Sequence, residues 1–286
     1  NLLGIATSGL TLDLVADIAG QLEEHLGGCP DPDMALNNIE RFIRSARSPL
    51  AMGALFERDR TALPALVQLF STSHHLSDIL IADPESFELL RQTGGRPLPR
   101  QTVLENIVGE IDSLEHGPLV LRALRRYKRR ETLRIAYGDI IMEQPLPTVT
   151  KQISYLAEAL IEASLRSAWK KVIEKCGTPR TGDGRKVGFV VLALGKLGGE
   201  ELNYSSDIDL ILIYEQEGLT DHTRPIANSE FFARLSREMV NLMTQMTDLG
   251  SVYRVDLRLR PDGDQGPVAI SYNAAFEYYE NRGRTW

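Results

Sequence analysis

The sequence predicts an α+β protein, a helical N-terminal half followed by a small mixed sheet, and three observations predict it. Apolar residues recur at three- and four-residue spacing as far as Cys176. A polar loop, Gly177-Thr178-Pro179-Arg180-Thr181-Gly182-Asp183-Gly184-Arg185-Lys186, then interrupts that pattern. Beyond it the apolar residues come in compact runs or in strict alternation, as strands require. A chain of 286 residues, 43% hydrophobic and 25% charged, excludes wholesale disorder and is long enough for two domains. We expect a helical domain over 1–147 and a second, sheet-containing domain over 148–286.

From about Leu10 to Gln92, short amphipathic helices are separated by Gly27-Gly28, Pro30, Pro32, Pro49, Pro64 and Pro84. Asp83-Pro84-Glu85 reads as a helix entry, with a capping oxygen, a proline at the first helical position and an acid in the first turn. Thr93-Gly94-Gly95-Arg96-Pro97-Leu98-Pro99 closes that helix. His74-His75 with Asp78 read as exposed polar side chains of a helix rather than as a metal site.

A longer helix follows from about Pro118 to Met142, with Leu121, Leu124, Leu133, Ile135, Ile140 and Ile141 toward the core. Its basic cluster, Arg122, Arg125, Arg126, Lys128, Arg129, Arg130 and Arg134, reads as a solvated face paired with acids elsewhere. The alternative is a docking surface for an acidic partner or a phosphate. After Pro145 and Pro147, Thr148 to Cys176 keeps helical period through Ile153, Leu156, Leu160, Leu165 and Val172.

Three strands are expected: a buried one over Val187–Leu194, one over Ile208–Tyr214, and an alternating one over Val252–Arg260. Between the last two, Ser229 to Asp248 forms a helix whose Met-rich stripe, ending at Met246, fills core. Tyr272, Phe276 and Tyr279 are expected to pack the last helix.

Thirty-two basic against 39 acidic residues leave a net charge of −7, which disfavours a sequence-independent grip on nucleic acid. No stretch approaches the roughly 20 apolar residues that span a bilayer, and the start lacks the charged region of a secretory signal. Cys29 and Cys176 lack the spacing of a zinc site or disulfide framework, so a cytoplasmic setting is expected. The opening on Asn1 and the uncapped end at Trp286 read as those of a fragment.

Chemistry concentrates between the first two strands and in the third. Asp207 and Asp209 stand two apart at the mouth of an apolar strand, so period-2 geometry sends both carboxylates to one face. Such a pair suits Mg²⁺, which is completed by waters and substrate phosphates. Upstream, Gly195-Lys196-Leu197-Gly198-Gly199 supplies small residues and a cation for a phosphate, yet it spells neither a P-loop nor a dinucleotide fingerprint. In Tyr253-Arg254-Val255-Asp256-Leu257-Arg258-Leu259-Arg260, alternation places Arg254, Asp256, Arg258 and Arg260 on one side. Three acids and arginines around a glycine loop describe metal-assisted phosphoryl or nucleotidyl transfer.

Leu194-Gly195-Lys196, ten residues and then Asp207-Ile208-Asp209-Leu210, followed by a carboxylate on a later strand, resembles the DNA polymerase beta-like nucleotidyltransferase superfamily. Within it, the string Gly195 to Leu210, together with Val252-Tyr253-Arg254-Val255-Asp256-Leu257-Arg258-Leu259-Arg260-Pro261, is similar to the glutamine synthetase adenylyltransferase family. The similarity runs from about Leu119 to Trp286 and includes Gln152-Ile153-Ser154-Tyr155-Leu156-Ala157-Glu158. It implies a polymerase-beta-like nucleotidyltransferase domain after the helical bundle. That family fuses two such domains, one attaching AMP from ATP to a tyrosine of glutamine synthetase, the other removing it with phosphate to give ADP.

Asn203-Tyr204-Ser205-Ser206-Asp207 and Arg254 resemble the removing half; the adenylylating half carries Gly-Tyr-Gly-Ser before its aspartates and Glu where Arg254 stands. The alternative is the forward adenylyltransferase. The resemblance implies Asp207, Asp209 and Asp256 as catalytic ligands of Mg²⁺, or Mn²⁺ in its place. It implies Gly195, Lys196, Ser206, Arg254, Arg258 and Arg260 as phosphate or nucleotide contacts. Glutamine synthetase and the PII signal protein are the implied partners, in the regulation of nitrogen metabolism.

Overall fold

A computed structural model describes residues 12–114 and 117–282. The chain is mixed helix and sheet and divides into two compact units, residues up to 97 with 129–149, and 98–128 with 150–282. Asn1, Leu10 and Trp286, on which the readings of the two ends rest, lie outside the described residues.

In the first unit the helices are α1 (Leu12–Leu26), α2 (Pro32–Ser45), α3 (Pro49–Arg58), α4 (Ala62–Thr72), α5 (His74–Ala82) and α6 (Ser86–Thr93). Several starts are set by capping side chains. Asp31 accepts the Met34 N–H ahead of Pro32, Ser48 accepts the Ala51 N–H ahead of Pro49, and Ser73 accepts the Leu76 N–H. The expected entry at Asp83-Pro84-Glu85 is displaced. The Asp83 carbonyl, not its carboxylate, takes the Ser86 N–H, so these residues form the turn before α6. α6 ends at Gly94 in the left-handed region (φ 59°), as a glycine cap allows. The core gathers around Phe42, whose ring meets Phe70 at 5.5 Å and Phe87 at 5.9 Å, both edge-on. Asp78 is paired with Arg41.

The second unit holds α7 (Arg100–Asp112), the start of α8 (Pro118–Ile140) and α9 (Leu146–Cys176). A two-stranded antiparallel ribbon joins β1 (Pro179–Arg180) to β4 (Leu219–Thr220). In the larger sheet, β2 (Phe189–Ala193) lies antiparallel to β3 (Ile208–Tyr214), while β5 (Val255–Asp256) and β6 (Ile270–Ser271) each run parallel to β3. α10 (Gly195–Gly198) is one turn between β2 and β3; α11 (Asn228–Thr244) and α12 (Tyr272–Arg282) complete the unit. Phe232 stacks on Phe189 at 5.1 Å and on Tyr214 at 4.9 Å, with Trp169 of α9 beside them.

Several expectations are corrected here. β2 is not fully buried: Val190 and Leu192 are 46% and 41% exposed, because its alternate residues face away from the packed side of the sheet. The alternating run Val252–Arg260 contributes only two strand residues, since Asp256 bends the chain through its own side chain, as described below. Met246 lies beyond the end of α11 and is exposed. Tyr272, Phe276 and Tyr279 are exposed as well, because Ala275 is the buried residue of α12.

The basic cluster of α8 is the largest correction. Arg125 is 1% exposed and Arg134 is buried against Glu131 and the Arg96 carbonyl. Lys128 is half-buried; Arg122, Arg126 and Arg130 face solvent. Arg125 donates to the carbonyls of Leu121 (2.9 Å), Leu242 (3.3 Å), Gly250 (2.8 Å) and Gln245. A guanidinium with five donors thereby satisfies carbonyls left open at the end of α11 and in the turn after it.

No helix among the described residues is long and apolar enough to cross a membrane.

Candidate active site

The site is assembled on β3 by three segments that arrive from different directions. β2 ends at Ala193, and the Leu194 N–H donates to the Asp209 carbonyl at 2.9 Å. The chain then reverses at Gly195 in the left-handed region, φ 54°. A Cβ there would lie 2.8 Å from Asp209 Oδ2, so only glycine fits both the turn and the carboxylate. The glycine-rich run is therefore a single helical turn, with Leu197 buried under it and Lys196 exposed.

From α10 the chain reaches Asp207 by a loop pinned at its middle. The Leu202 N–H donates to Ser154 Oγ of α9 at 3.1 Å, and the Leu202 side chain is fully buried. Asn203 Oδ1 then accepts from Ser206 Oγ at 2.6 Å and from the Ser205 N–H at 3.3 Å, a side-chain turn that presents Asp207. Gln152 clamps Leu98 by hydrogen bonds to its N–H and its carbonyl, both 2.9 Å.

β5 brings the third segment. Its pairing sets Asp256 opposite Asp209 in parallel register, and the Ile208 N–H donates to the Arg254 carbonyl at 3.0 Å. Arg254 donates through Nε to Asp207 and through Nη2 to the Ser205 carbonyl at 3.1 Å. Asp256 Oδ1 accepts the Arg258 N–H at 2.8 Å, which turns the chain out of the strand, and the Arg258 guanidinium grips the same carboxylate from Nε (2.9 Å) and Nη2. Arg260 turns inward: it donates to the carbonyls of Leu257 (2.7 Å), Pro267 (3.2 Å) and Gly266 (3.3 Å), tying up the 257–267 turn.

The three aspartates have different electrostatic surroundings. The Asp209 carboxyl is held above its ordinary value by burial first, then by the negative charges of Asp256 and Asp207. Asp256 is held below it by hydrogen bonds from Arg258. Negative charge thus crowds Asp209, which a divalent cation relieves, and the donor set is three hard carboxylate oxygens of the kind Mg²⁺ takes. In their present rotamers Asp207 turns to Arg254 and Asp256 to Arg258; among the described residues no three His, Cys, Asp or Glu stand ready around one point. The residues present fit a cation in chemistry, and the pairing of Asp209 with Asp256 across β3 and β5 fits it in backbone placement.

Sequence reasoning missed the supports of this site. Asn203, two residues before Ser205, carries the local signal of a side-chain turn. Ser154 and Gln152 fall within the stretch that carries the family resemblance, but nothing local marks what they hold, since their partners lie far away in sequence. Arg125 and Lys128, three apart on one helix face, were legible only as charge.

Lys128 Nζ donates to the Val252 carbonyl and lies 4.5 Å from the centre of the Tyr253 ring. Burial, with Arg125 and Arg254 nearby, pushes its ammonium down from 10.5 to about 8. Between those values the unfolded chain holds a proton that the folded chain lacks, so folding stability rises with pH across this window. In denaturant titrations the wild type is expected to gain about 2 kcal/mol over a Lys128→Met variant between about pH 8 and 10. Parallel curves for the two proteins would refute that assignment.

A family model described as glutamate-ammonia ligase adenylyltransferase matches residues 63–286. The chain is 36% identical over 224 residues to a protein of Thioalkalivibrio sulfidiphilus (strain HL-EbGR7), covering 78% of this chain and 23% of that one. It is also 36% identical over 233 residues to a protein of Shewanella frigidimarina (strain NCIMB 400), covering 79% and 25%. Both are named bifunctional glutamine synthetase adenylyltransferase/adenylyl-removing enzyme. The chain spans about a quarter of the length of these curated relatives.

Proposed function

The chain belongs to the glutamate-ammonia ligase adenylyltransferase family, and on that premise we propose that its three-aspartate site removes AMP from a tyrosine of glutamine synthetase, with inorganic phosphate as acceptor and ADP as product. The observation that carries the reading is the pairing of Asp209 with Asp256 across β3 and β5, with the Arg254 guanidinium held on Asp207 and the Arg258 guanidinium on Asp256. An acid-only centre would repel phosphate; here two forked cations flank the acids and offset their charge toward an anion. An acid pair opening β3, followed by a parallel strand bearing a third acid, also supports a polymerase-beta-like nucleotidyltransferase arrangement.

In this reading a phosphate oxygen attacks the AMP phosphorus and the bond from phosphorus to the tyrosyl oxygen breaks. The phenolate departs and is protonated, leaving ADP and the unmodified tyrosine. Mg²⁺ or Mn²⁺ held by Asp207, Asp209 and Asp256 would neutralise charge on the equatorial and leaving oxygens. Arg254, Arg258, Lys196 and Ser206 bind the anionic oxygens, and Gly195, having no Cβ, leaves room for the Asp209 carboxylate. Arg260 shapes the turn that carries Arg258. Phosphate is already an anion near neutral pH, so no residue is assigned as general base. The PII signal protein as regulator and a cytoplasmic setting, in keeping with the free thiols of Cys29 and Cys176, belong to the same proposal.

The test mixes this chain with adenylylated glutamine synthetase, phosphate and Mg²⁺ and follows ADP against an Asp207→Asn control. ADP that disappears in the control supports the proposal. Label passing instead from ATP to unmodified glutamine synthetase, with no ADP formed from the adenylylated protein, assigns the forward reaction and overturns it.

A further inference from the structure

The site's cationic side is built on a strand that something must hold in place, and the structure shows what holds it. β5 is only two residues long, so its own ladder fixes little. The chain entering it leaves the end of α11, where the N–H groups of Val252 and Tyr253 both donate to the Met243 carbonyl, at 2.9 and 3.2 Å. Val252 is fully buried and Tyr253 nearly so. Lys128 reaches this segment from α8, donating to the Val252 carbonyl and covering the Tyr253 ring. The next residue is Arg254, whose guanidinium meets Asp207 and the Ser205 carbonyl.

Lys128 has no carboxylate partner among the described residues, so its half-buried ammonium costs stability that an apolar chain of the same length would not. A methionine there would cover Tyr253 equally well. It would not donate to the Val252 carbonyl, and that bond is what ties α8 to the backbone two residues before Arg254. Resting on the proposed reaction at this site, we propose that Lys128 is a positioning residue that sets the placement of the Arg254 guanidinium by holding the Val252 carbonyl and the Tyr253 ring.

The test uses the chain carrying Lys128→Met, Lys128→Arg, Arg254→Met, and Lys128→Met with Arg254→Met. Lys128→Met is expected to keep a melting temperature close to that of the wild type at neutral pH, relief of the half-buried ammonium offsetting the bond lost to the Val252 carbonyl. It is expected to lower kcat/KM for phosphate by about 10²-fold, as a small misplacement of a positioned group does. The same change made on top of Arg254→Met should cost almost nothing further, and Lys128→Arg should restore most of the rate. Independently of turnover, the Arg254 Nε–H resonance should move in Lys128→Met toward that of a solvated guanidinium. A wild-type kcat/KM in Lys128→Met, an equal loss in both backgrounds, or an unmoved Arg254 resonance would overturn the positioning role. If the wild type forms no ADP, the reaction assignment fails while the Arg254 resonance still decides the role of Lys128.

Discussion

Asp209→Asn is expected to lower AMP removal by about 10³-fold without lowering the melting temperature. Asp209 lies in β3, pressed by the Gly195 turn and opposite Asp256, and its carboxyl is held up by burial and by its two acidic neighbours. An amide of the same shape removes that repulsion, so stability is retained or raised while a hard oxygen ligand is lost. Thermal melts beside an ADP assay check both halves. Near-full turnover in a well-folded Asp209→Asn protein would remove the acid centre from the mechanism.

Arg125→Met is expected to cost about 3–5 kcal/mol, the largest stability effect of any single change considered, because it strands buried carbonyls rather than trimming a surface charge. The guanidinium serves Leu242, Gln245 and Gly250 at once, at the C-terminal end of α11 where a cation also meets the helix dipole. Arg125→Lys should recover only part of the loss, since a single ammonium cannot span those carbonyls in the fixed geometry of a guanidinium fork. Denaturant titration gives the total, and amide exchange should quicken first between Met243 and Tyr253. A loss below about 1 kcal/mol, the scale of a surface substitution, would show that the turn holds itself.

How far the site could be foreseen follows the range of the interactions involved. Asp207 and Asp209 at the mouth of β3 were legible because an acid pair beside Ile208, Leu210, Ile211 and Leu212 stands out against a strand that must be buried. The alternation from Tyr253 to Arg260 was equally clear and misled, because period-2 patterning records which residues differ and not whether the backbone stays extended. Asp256 carries its own competing acceptor, and once its carboxylate takes the Arg258 N–H the strand stops. Arg258 reaches the site by that turn rather than by alternation, and Arg260 is drawn off to the carbonyls of the 257–267 turn.

What the sequence alone determined is what depends on neighbours along the chain. α8 and α9 begin and end within two residues of their predicted limits, because helical period and proline stops act over a few residues. The α+β class and β3 were determined the same way. Only the tertiary structure decided what the α8 cations do. Arg125 and Lys128 differ from their solvent-facing neighbours solely in whether unsatisfied carbonyls from more than a hundred residues away lie within reach. No local pattern encodes that, because the desolvation of a cation is settled by the partners that folding brings to it.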